Sequence, residues 1–247
     1  MIAPSKLINQ AFIMAAGYGE RMRPLTDDRP KPMVEINGKP LIDHILDDFR
    51  QHGIEKTIIN THYKAEVLEK HLYGIKAPQI VISHEKELLN TGGGLKNALS
   101  HFDNGAFFVI NGDAYFEHND VNRALDAMEK AWDPQIMDIL ILLEPVHKMH
   151  LTEGIGDYNL NPDGRAIRAL NKNGAYMFTS LRINKTSIFA NAPDSAFNYR
   201  DLMDEAQEKG RLYGLAHQGL WHHISTPEDV RAVNAHLAKH DKERGHG

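Results

Sequence analysis

The chain has 247 residues, 42% hydrophobic and 25% charged, with a formal net charge of −5 and no cysteine. That composition can bury a full core, and its negative balance argues against non-specific binding to nucleic acid or to an anionic membrane. The missing cysteine removes disulfides, thiolate nucleophiles and zinc–thiolate sites from consideration.

In chain order, the first ten residues do not read as a signal peptide, and no apolar run approaches a membrane span, so a cytoplasmic enzyme is expected. A strand is predicted over Ala11–Ala16, running straight into Gly17-Tyr18-Gly19. Arg21, Arg23 and Lys31 follow, with Lys31 between Pro30 and Pro32. Glycines let backbone N–H groups approach an anion, and arginines clamp phosphate oxygens in a fork. The third glycine of the dinucleotide fingerprint is absent, because Met22 stands there, and so is the Walker Gly-Lys-Ser/Thr. The segment therefore reads as a longer polyphosphate site, with Ala15, Ala16, Gly17 and Gly19 as nucleotide contacts.

A helix is predicted over Leu41–His52, from the spacing of Leu41, Ile45, Leu46 and Phe49. Strands at Thr57–Asn60, Ile80–Ser83 and Ala106–Ile110 then alternate with helical patterns at Ala65–Tyr73, Leu95–His101 and Asn119–Trp132. The continuous apolar run Met137–Leu143 suits a strand covered on both faces. This alternation predicts an α/β fold: a Rossmann-like, open, mostly parallel sheet with helices on both faces. After Glu144 the pattern turns β-rich. Asp157–Leu160 and Ala166–Leu170 flank the turn Asn161–Gly164, and Ala175–Ile183 is a further strand, together read as an insertion covering one end of the sheet. A helix over Tyr199–Lys209, a strand over Leu212–Ala216 and a helix over Pro227–Lys239 with Thr226 as its N-cap complete the reading. One domain is expected over 1–239, with halves 9–143 and 144–239, and 240–247 as a frayed charged tail.

Ligands of open parallel sheets sit beyond the carboxyl ends of the strands. Three loops qualify: Gly17–Lys31, Glu85–Gly94 and Asn111-Gly112-Asp113. Asp113 suits a Mg²⁺ ion bridging phosphates and Asn111 a nucleotide contact, although Asn-Gly-Asp also makes a good turn. Thr91-Gly92-Gly93-Gly94 reads as a loop before a helix, permitting close approach to a flat ligand.

The Gly17–Lys31 segment resembles the signature of the sugar-1-phosphate nucleotidyltransferases, G-x-G-x-R-(M/L)-x-P-L-T followed by P-K-P, and every fixed position is matched. The resemblance spans roughly residues 9–239 and is greatest to members that transfer uridylyl to N-acetylmuramate 1-phosphate, with mannose-1-phosphate guanylyltransferases close behind. It implies a nucleotide-sugar-forming transferase that uses a nucleoside triphosphate, UTP foremost, and a sugar 1-phosphate, as a monomer or small homo-oligomer. It implies Arg21 and Lys31 as catalytic groups and Asp113 as a ligand of Mg²⁺, with Mn²⁺ as the alternative ion. It also implies Glu85, Thr91, Gly92 and Gly93 around the base, and Asp157 (in Gly156-Asp157) and Thr179 (in Phe178-Thr179-Ser180) on the sugar side. Asn60-Thr61-His62-Tyr63 is similar to the family's Asn-x-His-Tyr.

The chain departs from the family pattern at its second metal carboxylate. His223 stands there, and Ser225 replaces the usual glycine. His223 is read three ways: as a ligand favouring Mn²⁺, as a direct phosphate contact, or as a bystander with Asp113 holding the metal alone. Two other function classes stay open at this point. One is a nucleotide-binding homologue with weakened turnover, and the other is a cytidylyltransferase acting on a non-sugar phosphate such as phosphocholine.

Overall fold

The strand-forming runs converge on one large sheet. A computed structural model describes residues 8–103, 105–117, 120–152 and 154–244. In chain order the first half holds β1 (Gln10–Met14), β2 (Glu35–Ile36), β3 (Lys39–Pro40), α1 (Leu41–His52), β4 (Lys56–Thr61), α2 (Ala65–Leu72), β5 (Gln79–His84) and α3 (Asn90–Asn97). Next come β6 (Ala106–Asn111), β7 (Ala114–Phe116), α4 (Asp120–Ala131) and β8 (Ile139–Pro145). The last part holds β9 (Tyr158–Leu160), β10 (Ala166–Arg168), β11 (Tyr176–Lys185), α5 (Tyr199–Glu208), β12 (Leu212–Ala216), β13 (Trp221–His223) and α6 (Pro227–Arg244).

β1 lies at the centre, parallel to β4 on one side and to β6 on the other, with β5 beyond β4. Beyond β6 the sheet continues through β11, β8 and β12; β11 is antiparallel to both of its neighbours, and β12 is parallel to β8. The chain leaves β1 first toward β4 and β5 and later returns to its other side at β6. The strand order therefore reverses at β1, and a crevice opens beyond the ends of β1 and β6.

Two layers cover the sheet because its strands are apolar on both faces. Ile42, Ile45 and Phe49 of α1, Leu68 and Leu72 of α2, and Leu125 and Met128 of α4 fill one side. Leu95 of α3 with Leu202 and Met203 of α5 fill the other. A third, smaller core packs α6 through Val230, Val233 and Leu237 against Met22, Ile36 and Tyr115. Among the described residues, no helix is long and apolar enough to cross a membrane.

The structure differs from the sequence expectation at several elements. α3 starts at Asn90, so the three glycines lie in its first turns rather than in a loop before it. Their intrinsic helix propensity is poor, but close packing demands them. A Cβ on Gly92 would sit 2.3 Å from Cε2 of Phe197, and one on Gly94 would sit 2.3 Å from Oε1 of Glu85. Gly92→Ala is accordingly expected to cost about 1–3 kcal/mol as overpacking. Thermal unfolding should register that as a midpoint roughly 2–12 °C lower.

The strand predicted at Ala175–Ile183 is β11, which lies within the main sheet rather than over its end. The β9–β10 hairpin joins the same sheet at its edge, through the single pair Tyr176↔Tyr158 with β11. α6 continues as helix to Arg244, past the expected boundary at Lys239; residues 245–247 of the expected tail lie outside the described residues, as does the predicted start of the fourth helix at Asn119. Two short ribbons have no counterpart in the sequence reading: β2 with β3, and β7 with β13.

Candidate active site

The arginine-bearing loop is built by its small and apolar residues. Gly19 adopts φ +65°, where an L side chain is disfavoured, and a Cβ there would press to 3.1 Å on Cγ2 of Thr26. The Gly19 carbonyl accepts hydrogen bonds from the Thr26 hydroxyl (2.9 Å) and the Met22 N–H (2.9 Å), closing a single 3₁₀ turn over Glu20–Met22. Met22 is fully buried, which anchors the turn and leaves Arg21 exposed. The Tyr63 hydroxyl donates to the Thr26 carbonyl (2.9 Å), tying the loop to the segment after β4.

Beside it lies a cleft of about 250 Å³ at the crevice between β1 and β6. Ala15, Ala16, Gly17, Gly19, Lys31, Glu85, Thr91, Asn111 and Asp113 all line it, so most of the residues expected at the nucleotide are brought together. Lys31 Nζ donates to Asp113 Oδ2 at 2.5 Å, with the two side chains only 13% and 26% exposed. Glu85 is buried with both oxygens engaged: Oε1 accepts from Asn60 Nδ2 (2.7 Å) and Oε2 from the Leu89 N–H (2.9 Å). It braces the floor of the cleft, and Asn60 in turn accepts from the Ala15 N–H (2.7 Å).

Gly92 and Gly93, expected against a base, lie elsewhere. Both donate their N–H groups to the Phe197 carbonyl, at 2.9 and 3.2 Å, and are buried against the 195–197 segment. Of that helical turn, Asn90 and Thr91 reach the cleft.

A second cleft, of about 300 Å³, adjoins the first and shares Met14, Thr91 and Asn111 with it. Asp157 lines it, accepting from the Phe178 N–H at 3.3 Å, and burial pushes its carboxyl above the ordinary range. Thr179 does not line it. It is fully buried in the β-bulge between Phe178 and Arg182, donating to the Leu142 carbonyl at 3.0 Å and accepting from the Leu181 N–H at 3.3 Å. The bulge, with Ser180 at φ +75°, turns Thr179 into the sheet and leaves Phe178 and Arg182 facing the cleft.

The sequence reading missed the cations of this second cleft: Arg168, Lys172, Arg182 and Arg200. Arg182 is buried, its guanidinium carbon 3.9 Å from the Tyr199 ring centroid and one NH₂ group donating to the Ser180 carbonyl at 3.0 Å. Its Nε hydrogen has no partner among the described residues, and burial works against its charged form. A buried, incompletely satisfied guanidinium at a cleft wall is suited to an anion. The available signal was an arginine flanked by two large apolar residues, Leu181-Arg182-Ile183, within a strand.

His223 lines neither cleft but lies close enough to feel charged residues of both. β13 pairs it with Ala114, the residue after Asp113, and the charges of Asp113, Lys31 and Arg21 all act on it; its own charge in turn acts on Asp157. Burial dominates and pushes its imidazole below the ordinary value of 6.5, favouring the neutral ring with a free lone pair. Asp113 and neutral His223 give one carboxylate and one imidazole. That set fits a divalent cation that takes its remaining ligands from phosphate oxygens and water, since Mg²⁺ is commonly held by one or two carboxylates. The imidazole adds affinity for ions such as Mn²⁺.

The profile of the nucleotidyl transferase family matches residues 10–150 of the chain. An N-acetylmuramate alpha-1-phosphate uridylyltransferase of Caulobacter vibrioides is 39% identical over 236 residues, covering 93% of this chain and 97% of the relative. The bifunctional protein GlmU of Methanococcus maripaludis is 31% identical over 92% of this chain, which corresponds to 54% of that longer relative. Among solved structures, HddC from Yersinia pseudotuberculosis complexed with GMP-PN superposes with a TM-score of 0.74 at 24% identity, covering 93% of this chain and 100% of that one.

Proposed function

The chain belongs to the nucleotidyl transferase family as a sugar-1-phosphate nucleotidyltransferase, and on that premise we propose that it joins UTP to an acidic sugar 1-phosphate, N-acetylmuramate 1-phosphate foremost. One observation carries the choice of acceptor: four cations, Arg168, Lys172, Arg182 and Arg200, line the second cleft with Asp157 as its lining carboxylate, and even with Arg168 paired to Asp204 at 2.5 Å the balance stays positive. N-acetylmuramate 1-phosphate brings two anionic groups, a phosphate and a lactyl carboxylate, whereas a hexose 1-phosphate brings only the first. The same cations oppose a quaternary ammonium, which disfavours phosphocholine despite the aromatic rings present. UTP rests on the 39% identical uridylyltransferase.

In this reading, residues 9–143 hold the nucleotide and 144–239 the sugar phosphate, within one unit. The sugar-phosphate oxygen attacks the α-phosphorus of the triphosphate in line, a new P–O bond forms, and pyrophosphate leaves with the electron pair of the broken bond. No protein nucleophile is needed, so catalysis is positioning and charge stabilisation. The Gly17–Gly19 backbone follows the triphosphate. Arg21 reaches over it from the exposed turn to meet charge developing at the α-phosphate and on pyrophosphate. Lys31 exchanges part of its contact with Asp113 for the α-phosphate or the incoming sugar phosphate. Mg²⁺, when bound, would neutralise phosphate charge. Asp113 would hold it through a carboxylate oxygen, and His223 would offer a ring nitrogen. Asp157 accepts hydrogen bonds from sugar hydroxyls.

Two outcomes follow. Arg200→Ala, at an exposed position, should raise KM for N-acetylmuramate 1-phosphate about 10-fold, the cost of a charge-assisted hydrogen bond, while KM for UTP stays within twofold; steady-state kinetics with each substrate varied checks this. His223→Asp supplies a second carboxylate and should lower the Mg²⁺ concentration needed for half-maximal rate several-fold. A metal titration of wild type and variant reads that directly, and an unchanged half-maximal concentration means that His223 does not face the metal.

A further inference from the structure

We propose that the chain carries a second, transition-metal site, selective for Zn²⁺ over Mg²⁺, formed by Glu117, His222 and His236, with His240, one turn further along α6, turning its ring in to complete the set. Glu117 follows β7, His222 lies in β13, and the other two histidines are one turn apart on α6. Glu117 Oε1 lies 2.6 Å from His222 Nε2 and 3.0 Å from His236 Nε2, and the three ligand atoms all lie within 4.8 Å of one another. The rings of His236 and His240 are 4.4 Å apart, centroid to centroid. Glu117 and His222 are 3% and 6% exposed, while His236 and His240 are half-buried at the rim, where an ion can enter.

The imidazoles of His222 and His236 both aim Nε2 at one carboxylate oxygen. In a tetrahedral zinc site with ligand distances near 2.0–2.2 Å, ligand atoms stand about 3.3 Å apart. The contacts observed at 3.0 Å to His236 and 2.6 Å to His222 therefore need to open by roughly 0.3 and 0.7 Å, within reach of small side-chain rotations. Two histidines at i and i+4 on one helix face with a carboxylate from elsewhere form a chelating set, and imidazole nitrogens select a transition metal over Mg²⁺. The site lies outside both clefts, since none of its four residues lines them. Its consequence is mechanical. It fastens α6, which packs on Met22 of the arginine turn, to the β7–β13 ribbon, which carries His223 beside Asp113.

The test is calorimetric titration of ZnCl₂ into the chelator-stripped full chain, in excess Mg²⁺, with thermal unfolding in parallel. Wild type should bind one equivalent at least 10-fold more tightly than His222→Gln or His236→Gln. Its midpoint should rise roughly 5 °C or more when Zn²⁺ exceeds Kd a hundredfold. His240→Gln, at the rim, guards against a variant that fails to fold and should weaken binding as well. Co²⁺ in place of Zn²⁺ should give a visible d–d absorption that His236→Gln abolishes. Equal Zn²⁺ binding by wild type and the variants, or no stoichiometric uptake in the presence of Mg²⁺, overturns the proposal and leaves the cluster a hydrogen-bonded network.

Discussion

Replacing Arg21 with alanine is expected to lower kcat about 10³-fold while the thermal midpoint stays within a few degrees of wild type. The two halves of that expectation rest on different residues. The fold is held by Met22, which is fully buried beside Val34, Ile36 and α6, and by the Gly19–Thr26 hydrogen bond, neither of which involves the Arg21 side chain. The rate rests on the guanidinium itself. Phosphoryl transfer asks little covalent chemistry of a protein, so removal of a group that meets developing negative charge falls on the transition state; single donors in such roles are worth about 10²–10³, and arginines about 10³–10⁵. Arg21 is exposed on its turn, so it gains its partner only when a polyphosphate is present. Pyrophosphate release under saturating substrates checks the rate, and Arg21→Lys should recover only part of it because an ammonium lacks the planar fork. Near-normal turnover of Arg21→Ala removes the role.

The second large effect is expected at Asp113. Asp113→Asn keeps the shape but removes the charge that faces Lys31 at 2.5 Å. Two losses combine. The carboxylate able to hold a divalent cation is gone, and Lys31, only 13% exposed, loses its anionic partner. Turnover should fall about 10³-fold or more, with at most partial recovery at high Mg²⁺, because an amide oxygen is a neutral and weaker ligand for a hard cation. A companion measurement separates the causes. If nucleotide binding without metal tightens in Asp113→Asn, as it should when Lys31 is released toward the phosphates, the loss belongs to the metal and the chemistry rather than to a collapsed cleft.

Much of the nucleotide side was legible because its signals are local. Gly17–Lys31 combines glycines, fixed prolines and cations within one continuous loop, and the chain order of strands forecasts a sheet whose reversal at β1 brings that loop to Asp113. What was not legible depends on long-range packing. The glycines of Thr91–Gly94 look like a loop by propensity, yet they are helical, and the Phe197 ring, about a hundred residues away, leaves no room for a side chain at Gly92. Thr179 looks like a polar group near a ligand, but a bulge in β11 turns it onto the Leu142 carbonyl. β7 and β13 are three residues each, too short to show a period, so the pairing that sets His223 beside Asp113 is invisible until the fold is closed. The cations of the second cleft come from β10, β11, the start of α5 and a loop, with no shared motif.

The measurement that bears most directly on the account is pyrophosphate release by the wild-type chain with Mg²⁺, using UTP or GTP against N-acetylmuramate 1-phosphate, N-acetylglucosamine 1-phosphate and mannose 1-phosphate. The cation-lined cleft predicts the highest kcat/KM for UTP with N-acetylmuramate 1-phosphate, at least 10-fold above UTP with N-acetylglucosamine 1-phosphate, the neutral sugar that differs by the lactyl carboxylate. Equal or better use of a neutral sugar phosphate, or of GTP with mannose 1-phosphate, contradicts it.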